Sequence, residues 1–469
     1  MEDIKYDFGM IGLGVMGSNL LLNMADHGFS VIGYDKNPDK TKAFEASATK
    51  GTTVKGVNTL AGMIEKLKTP RKLMMLVPAG SPVDSVIGDL KPLLQKGDII
   101  IDGGNSHYTD TLRRINELKN IGFHFMGIGV SGGEEGARRG PSIMPGGDLE
   151  AYNEVAPILK AVSAKVNGEP CVGYLGHDAA GHYVKMVHNG IEYAIMQLIS
   201  ECYDLMHHGL QLSNKELHEV FKDWDGGDMK SFLLEITAII FDKKDDKSDH
   251  DLVDMILDKA GAKGTGQWTS QEGLSLPMPI PTIDSAVMMR NLSGLINERK
   301  EAAGIYKTSV KTIGTDKKEF IAQLRDALYF ATLISYAQGL AMITTASSEL
   351  KMDIPLPEVV SVWRGGCIIR SAMLEVFKKA YKDPTLKNIL LDKDIAKLIL
   401  QKEAAIQKIV SMAALNNYPV AGLSAALNYF NAYRRELLPT NLVQAQRDFF
   451  GAHTYQRTDT EGIFHTKWE

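Results

Sequence analysis

FGMIGLGVMG (residues 8–17) is the stretch on which the fold turns. A short apolar run ends in three spaced glycines, Gly12, Gly14 and Gly17, and then continues into an amphipathic segment. In a strand–turn–helix unit the first glycine permits the tight turn and the second lets a pyrophosphate approach the backbone. The third lets the helix pack close to the strand. Leu13, Val15 and Met16 complete the turn, and a second apolar run, SVIGYD, closes on Asp35, 18 residues after Gly17. That context reads as a dinucleotide site.

Further short apolar runs follow: KLMMLVP, DIIIDGG, HFMGIGV and CVGYLG. Separated by amphipathic segments, they predict parallel strands buried on both faces of a doubly wound, Rossmann-type α/β domain over residues 1–178. The loops VPAG (Val77, Pro78, Ala79, Gly80), GGNS (with Asn105) and SGGEEGARRGPSIMPGG (131–147) are expected at the carboxyl edge of that sheet, where ligands bind. Ser131, Gly132 and Gly133 offer clustered backbone donors for an anion. A carboxylate at Asp35 favours the free ribose of NAD, whereas Lys36 and Lys40 can neutralise a 2′-phosphate; the local text leans toward NAD.

From 179 to 434 the apolar residues follow helical spacing, which predicts a large all-helical domain. It carries an internal echo. EYAIMQLIS (192–200) resembles LYFATLIS (328–335), and WDGGDMKSFLLE (224–235) resembles WRGGCIIRSAMLE (363–375). The last segment, 435–469, is a tail with too many aromatics for a solvated end (Phe449, Phe450, Phe464, Trp468), so it is expected to pack against something.

Composition bounds the rest. The chain has 469 residues, 23% of them charged, and a net charge of −5, which argues against nucleic acid as the main partner. Cys171, Cys202 and Cys367 show neither a metal spacing nor a disulfide framework, which points to a reducing compartment, the cytoplasm. The N-terminus lacks signal-peptide character, and no run of 18 uninterrupted apolar residues suggests a membrane span. The acidic run DKKDDKSDHD lacks the glycine and distal glutamate of a calcium loop and reads as solvated.

KMVHNGIEY (185–193) is the most informative helical stretch. Lys185, His188, Asn189 and Glu192 stand at i, i+3, i+4 and i+7 and share one face. Taken alone, this is a surface charge pair beside a core histidine. Placed where the nucleotide domain ends, it can face the sheet edge. Alcohol oxidation needs a base for the hydroxyl proton, and a desolvated lysine can serve. Downstream, Lys263 in KGTGQWT, Arg290 in SAVMMRNLS, and Arg447 with His453 in RDFFGAHTY suggest an anionic substrate.

These motifs, in this order and over essentially the whole chain, resemble those of the decarboxylating 6-phosphogluconate dehydrogenase family of the oxidative pentose phosphate pathway. The resemblance implies oxidation of a 3-hydroxyl, loss of CO₂ and protonation at C1, with no metal required. It implies Lys185 as general base and Glu192 as the acid at C1. It assigns the sugar acid to Asn105, Ser131, Gly132, Gly133, His188 and Asn189, and the phosphate to Tyr193, Lys263, Arg290, Arg447 and His453. It also implies a homodimer in which the tail, with Arg447 and His453, completes the partner's site. NADP is the family's cofactor. Yet Asp35-Lys36-Asn37 and Val77-Pro78-Ala79 stand where the family commonly places Asn-Arg-Thr and Val-Lys-Ala, so dual or NAD-leaning use is the expectation here. Two other readings stay open. A smaller β-hydroxyacid dehydrogenase would share the glycines, the SGG loop and the lysine, but would need neither the downstream cations nor this length. An inactive dinucleotide-binding scaffold would bind cofactor without turnover.

Overall fold

Seven short runs form one sheet in the computed structural model, which describes residues 4–307 and 309–469. The first three residues of the N-terminal reading lie outside these. β1 (Phe8–Ile11), β2 (Val31–Tyr34), β3 (Val54–Val57), β4 (Lys72–Met75), β5 (Ile99–Asp102) and β6 (His124–Ser131) are parallel in the order β3-β2-β1-β4-β5-β6. β7 (Ser142–Gly147) adds an antiparallel edge to β6. β1 and β5 are buried along their whole length because helices cover both faces of the sheet. The doubly wound domain is borne out, and so is the helical domain that follows it.

Three details differ from the sequence reading. CVGYLG forms no strand; Val172 makes a single bridge to Ile143. β3 was not anticipated, since VKGV is a half-exposed edge strand with little apolar signature. The glycine-rich stretch 131–147 is no open loop: Gly133–Arg139 is a short helix and 142–147 is β7. Pro145 is tolerated there because β7 lies on the edge of the sheet.

Beyond the sheet, the helix Ala180–Asp204 starts hard against β6 and β7. A Cβ on Gly181 would lie 2.2 Å from the Gly127 carbonyl. This close seat fixes the next turns of the helix, including Lys185, over the sheet edge. The predicted echo has a structural counterpart. Ala180–Asp204, Asn214–Trp224 and Phe232–Phe241 are matched in order by Lys317–Glu349, Leu356–Trp363 and Met373–Ala380. Trp224 and Trp363 close equivalent helices and are both fully buried. The two copies meet at an antiparallel bridge between Ser231 and Ser371, where Phe232 N–H donates to the Arg370 carbonyl and Ala372 N–H to the Lys230 carbonyl.

The central helix Lys317–Glu349 is long and apolar enough to cross a membrane by length and composition, but 94% of its most apolar window is buried inside the protein. It packs against Ala180–Asp204, Lys393–Leu415 and Ala421–Tyr433. Its near-uniform apolarity is that of a core helix with protein on every side.

The tail is built around one carboxylate. Asp448, on the helix Thr440–Gly451, is buried. It accepts hydrogen bonds from Thr454 N (2.9 Å), Thr466 N (3.1 Å), His465 Nδ1 (2.9 Å) and Trp468 Nε1 (2.9 Å). Burial alone would raise its pKa, but these donors outweigh that and hold it at about 2. A depressed carboxylate stabilises the fold above its ordinary pKa and loses that contribution as pH falls toward the folded value. The tail is therefore expected to loosen as pH drops from roughly 4 to about 2. The difference in emission between the wild type and Trp468→Phe reports this. Asp448→Asn should show the loosened signal already at neutral pH.

Candidate active site

The glycine turn has the predicted geometry. Gly12 stands at φ +93°, and a Cβ there would meet the Leu76 carbonyl at 2.5 Å. A Cβ on Gly17 would lie 2.0 Å from the Gly12 carbonyl, so helix and turn could not close with any larger residue. A Cβ on Gly14, by contrast, would meet nothing within 4 Å, which leaves the face over the turn open to a dinucleotide. Strand order reverses between β1 and β4, the usual seat of such ligands. Beside it, a slot of about 190 Å³ is lined by Gly12, Asp35, Lys36, Val77 and Pro78, joined by Tyr34, Leu60, Pro82 and Asp89, which the sequence reading did not single out.

The carboxylate of Asp35 is already engaged by its own protein. Oδ2 accepts from Leu13 N (2.8 Å) and Oδ1 from Asn37 N (2.9 Å), while Lys40 Nζ lies 3.9 Å away. Leu13 therefore keeps its side chain in the core and spends its N–H on Asp35. The Asn37 side chain caps the helix Pro38–Ala46 through Asp39 N–H. Val15 is exposed on the turn. Ala79 is exposed and stands outside the lining of the slot.

A second cleft, of about 610 Å³, opens between the sheet edge and the helical domain. Lys185, Asn189, Glu192 and Tyr193 reach it from one side of the helix Ala180–Asp204. Asn105 and Ser131–Gly133 reach it from the sheet, and Met16 from the glycine turn. Lys263 and Arg290 complete its far end. Thr265, Val130 and Ile368 also line it and were not foreseen. His188 lies beneath the floor, fully buried.

The face of four polar residues is therefore inward. Lys185 Nζ is 3.4 Å from His188 Nδ1, which is 3.0 Å from Asn189 Oδ1 and 3.8 Å from Glu192 Oε2. In one tautomer Nδ1 donates to Asn189; in the other it accepts from Lys185. It cannot do both. His188 Nε2 faces Ser131 Oγ at 3.4 Å. Burial pulls the Lys185 pKa down, against the opposing pull of Glu192. Burial pushes the Glu192 carboxyl up, against Lys185 and Arg290. Burial and then Lys185 hold His188 well below its usual range, as a neutral imidazole. Two titratable groups displaced toward each other, two helical turns apart, suit an exchange of protons with a bound molecule.

The cationic end is braced rather than paired. The Arg290 guanidinium lies 3.4 Å from the centroid of the Tyr193 ring and donates to the Gly261 carbonyl (2.9 Å). Among the described residues no carboxylate forms an ion pair with it, so part of its donor set faces the cleft. Thr269 Oγ1 donates to the Met186 carbonyl (2.9 Å), tying the helix Thr265–Ser275 to the Lys185 helix. Under Asn105, Asp102 accepts from Gly104 N (3.0 Å) and Ser106 Oγ (2.6 Å), with Arg114 3.6 Å away. These supports were invisible in sequence because their partners are distant or are backbone groups. Arg447 and His453 are exposed on the tail and do not line this chain's cleft.

The chain is similar to known proteins over nearly its whole length. The model for the NAD binding domain of 6-phosphogluconate dehydrogenase matches residues 7–176, and that for the C-terminal domain of 6-phosphogluconate dehydrogenase matches 181–468. A Bacillus subtilis relative is 51% identical over 99% of both chains and is named an NADP(+)-dependent, decarboxylating 6-phosphogluconate dehydrogenase. The chain belongs to the 6-phosphogluconate dehydrogenase family. An Arabidopsis thaliana 6-phosphogluconate dehydrogenase, decarboxylating 2, is 47% identical over 98% of this chain and 96% of its own. Among solved structures, that of the Plasmodium falciparum 6-phosphogluconate dehydrogenase, described apo and with NADP+ or 6-phosphogluconate, superposes with a TM-score of 0.96. It is 45% identical and covers 98% of this chain and 100% of its own.

Proposed function

We propose that the protein oxidises 6-phosphogluconate at C3 with NADP and releases CO₂ to leave ribulose 5-phosphate. The observation that carries this reading is the pair of Lys185, buried, and Glu192, half-buried, on one cleft wall with pKa values displaced toward each other. Lys185 takes the proton of the 3-hydroxyl. NADP, held over Gly12–Gly17 and in the slot of Val77 and Pro78, supplies the acceptor for the hydrogen at C3. Lys185, now an ammonium, donates to the 3-keto oxygen and stabilises the charge that develops as the carboxylate leaves. Glu192 then protonates C1. His188 orients the lysine, while Asn105, Asn189 and Ser131–Gly133 hold the sugar acid. Tyr193, Lys263 and Arg290 take the phosphate.

The engagement of Asp35 supports NADP over the NAD leaning read from sequence. Its oxygens are spent on Leu13 and Asn37 N–H groups, its charge faces Lys40, and Lys36 lines the same slot. In this reading residues 1–178 bind cofactor, 179–434 bind substrate and dimerise, and 435–469 extend from a homodimer's one subunit into the other's site. The exposed Leu442, Phe449 and Phe450 on the tail helix support a partner surface, and buried thiols at Cys171, Cys202 and Cys367 suit the cytoplasm.

The test is nicotinamide reduction with 6-phosphogluconate while released CO₂ is counted, with NADP and NAD supplied separately. Equal amounts of reduced NADP and CO₂ are expected, with the higher kcat/KM for NADP. Reduction without CO₂, or none at all, overturns the reaction. A higher kcat/KM for NAD overturns only the cofactor reading.

A further inference from the structure

The two copies of the helical repeat each carry a Gly-Gly turn after a buried tryptophan, but the turns meet different surroundings. In the first copy Gly227 stands at φ +62°, exposed, with nothing within 4 Å of where a Cβ would be. In the second copy Gly366 stands at φ +69°, and a Cβ there would lie 2.5 Å from the Gly140 carbonyl and 2.6 Å from Ser142 N. The Gly366 carbonyl accepts from Ser142 N (2.9 Å). The same carbonyl occupies the space that a side chain on Gly132 would need, 2.5 Å from its ideal Cβ. Ser142 Oγ donates to the Val362 carbonyl (2.6 Å), and the Trp363 ring stands edge-on to His188 at 5.9 Å. Two residues on, Ile368 lines the cleft itself.

We propose that Gly366 is a positioning residue for the reaction: the second Gly-Gly turn is the buttress that sets the Ser131–Gly133 loop at its substrate-holding height. The duplicated turn has thus become two different things, a surface turn in one copy and a support for the anion-holding loop in the other. The inference rests on the proposed role of Ser131–Gly133 in holding the sugar acid.

The repeat supplies its own control, because Gly227→Ala and Gly366→Ala impose the same left-handed strain and only the second meets a neighbour. Steady-state constants and melting temperatures of both variants and the wild type form the experiment. Gly227→Ala should melt earlier with kcat/KM unchanged. Gly366→Ala should raise KM for 6-phosphogluconate roughly 10- to 100-fold, the scale expected when a binding group is displaced by about an ångström, with KM for NADP within about twofold. Should Gly366→Ala fail to fold, Ser142→Ala removes one contact of the buttress and should shift the 6-phosphogluconate KM alone, in the same direction. Equal losses in both glycine variants, unchanged constants in Gly366→Ala or Ser142→Ala, or a parallel rise in both KM values would overturn the proposal. Absence of turnover in the wild type would instead overturn the reading on which it rests.

Discussion

Replacing Lys185 by methionine is expected to lower kcat with 6-phosphogluconate by roughly 10²–10⁴-fold, the range that one positioned acid–base group contributes. Methionine keeps most of the length of the side chain and removes the amine. The cleft should therefore bind cofactor as before, which fluorescence titration with NADPH can check. The fold should not suffer, because a buried amine costs solvation that a thioether does not. A melting temperature equal to or above that of the wild type, beside a collapsed kcat, separates a chemical role from a structural one. The pH profile adds a second check. Lys185 must be neutral to accept the hydroxyl proton, so activity falls on the acid side, at a pH below the ordinary lysine range because burial lowers its pKa. Glu192 must be protonated to donate at C1, so activity falls on the alkaline side, above the ordinary carboxylate range because burial raises its pKa. The two limbs belong to the coupled pair rather than to either residue. Glu192→Gln should abolish the alkaline limb together with most of the rate. An unchanged alkaline limb would remove Glu192 from the proposed role.

The second large effect is expected at Arg290. A hydrogen bond to a charged group contributes about 1.5–3 kcal/mol, so Arg290→Met should lower kcat/KM for 6-phosphogluconate roughly 10- to 100-fold through KM. Turnover of unphosphorylated gluconate should hardly change, since the lost group meets only the phosphate. Arg290→Lys should rescue little. The guanidinium is held flat on the Tyr193 ring with one N–H spent on the Gly261 carbonyl, and an ammonium reproduces neither contact. A similar loss with both sugar acids would show that Arg290 braces the cleft instead of binding the phosphate.

What the sequence made legible follows from which interactions are local. Gly12, Gly14 and Gly17 act within one strand–turn–helix unit, and their spacing reveals the turn. Lys185, His188, Asn189 and Glu192 share a face by helical periodicity alone. Long-range partners left no such trace. Nothing near Asp35 in the chain announces that its carboxylate is taken by Leu13 N–H, and that commitment decides how its charge should be weighed. β7 was hidden because Pro145 and two glycines mark a loop in any local reading, while an edge position in the sheet tolerates them. The echo between 224–235 and 363–375 was legible as a repeat, but the contrast between Gly227 and Gly366 depends on what each turn meets in space.

The central helix has a consequence for how the chain is made. On the ribosome Lys317–Glu349 emerges after Ala180–Asp204, one of its neighbours, but before Lys393–Leu415 and Ala421–Tyr433, which cover other faces. The last of these ends at Tyr433, 84 residues beyond Glu349. At roughly 5–20 residues per second, a helix apolar enough for a bilayer waits about 4–17 s for its remaining cover. During that interval the nascent chain presents the features that chaperones and membrane-targeting factors recognise. Docking onto the Lys185 helix, already synthesised, would cover one face of it during that interval. The helix that positions the chemistry is, in synthesis, also the first shelter for the helix that follows it.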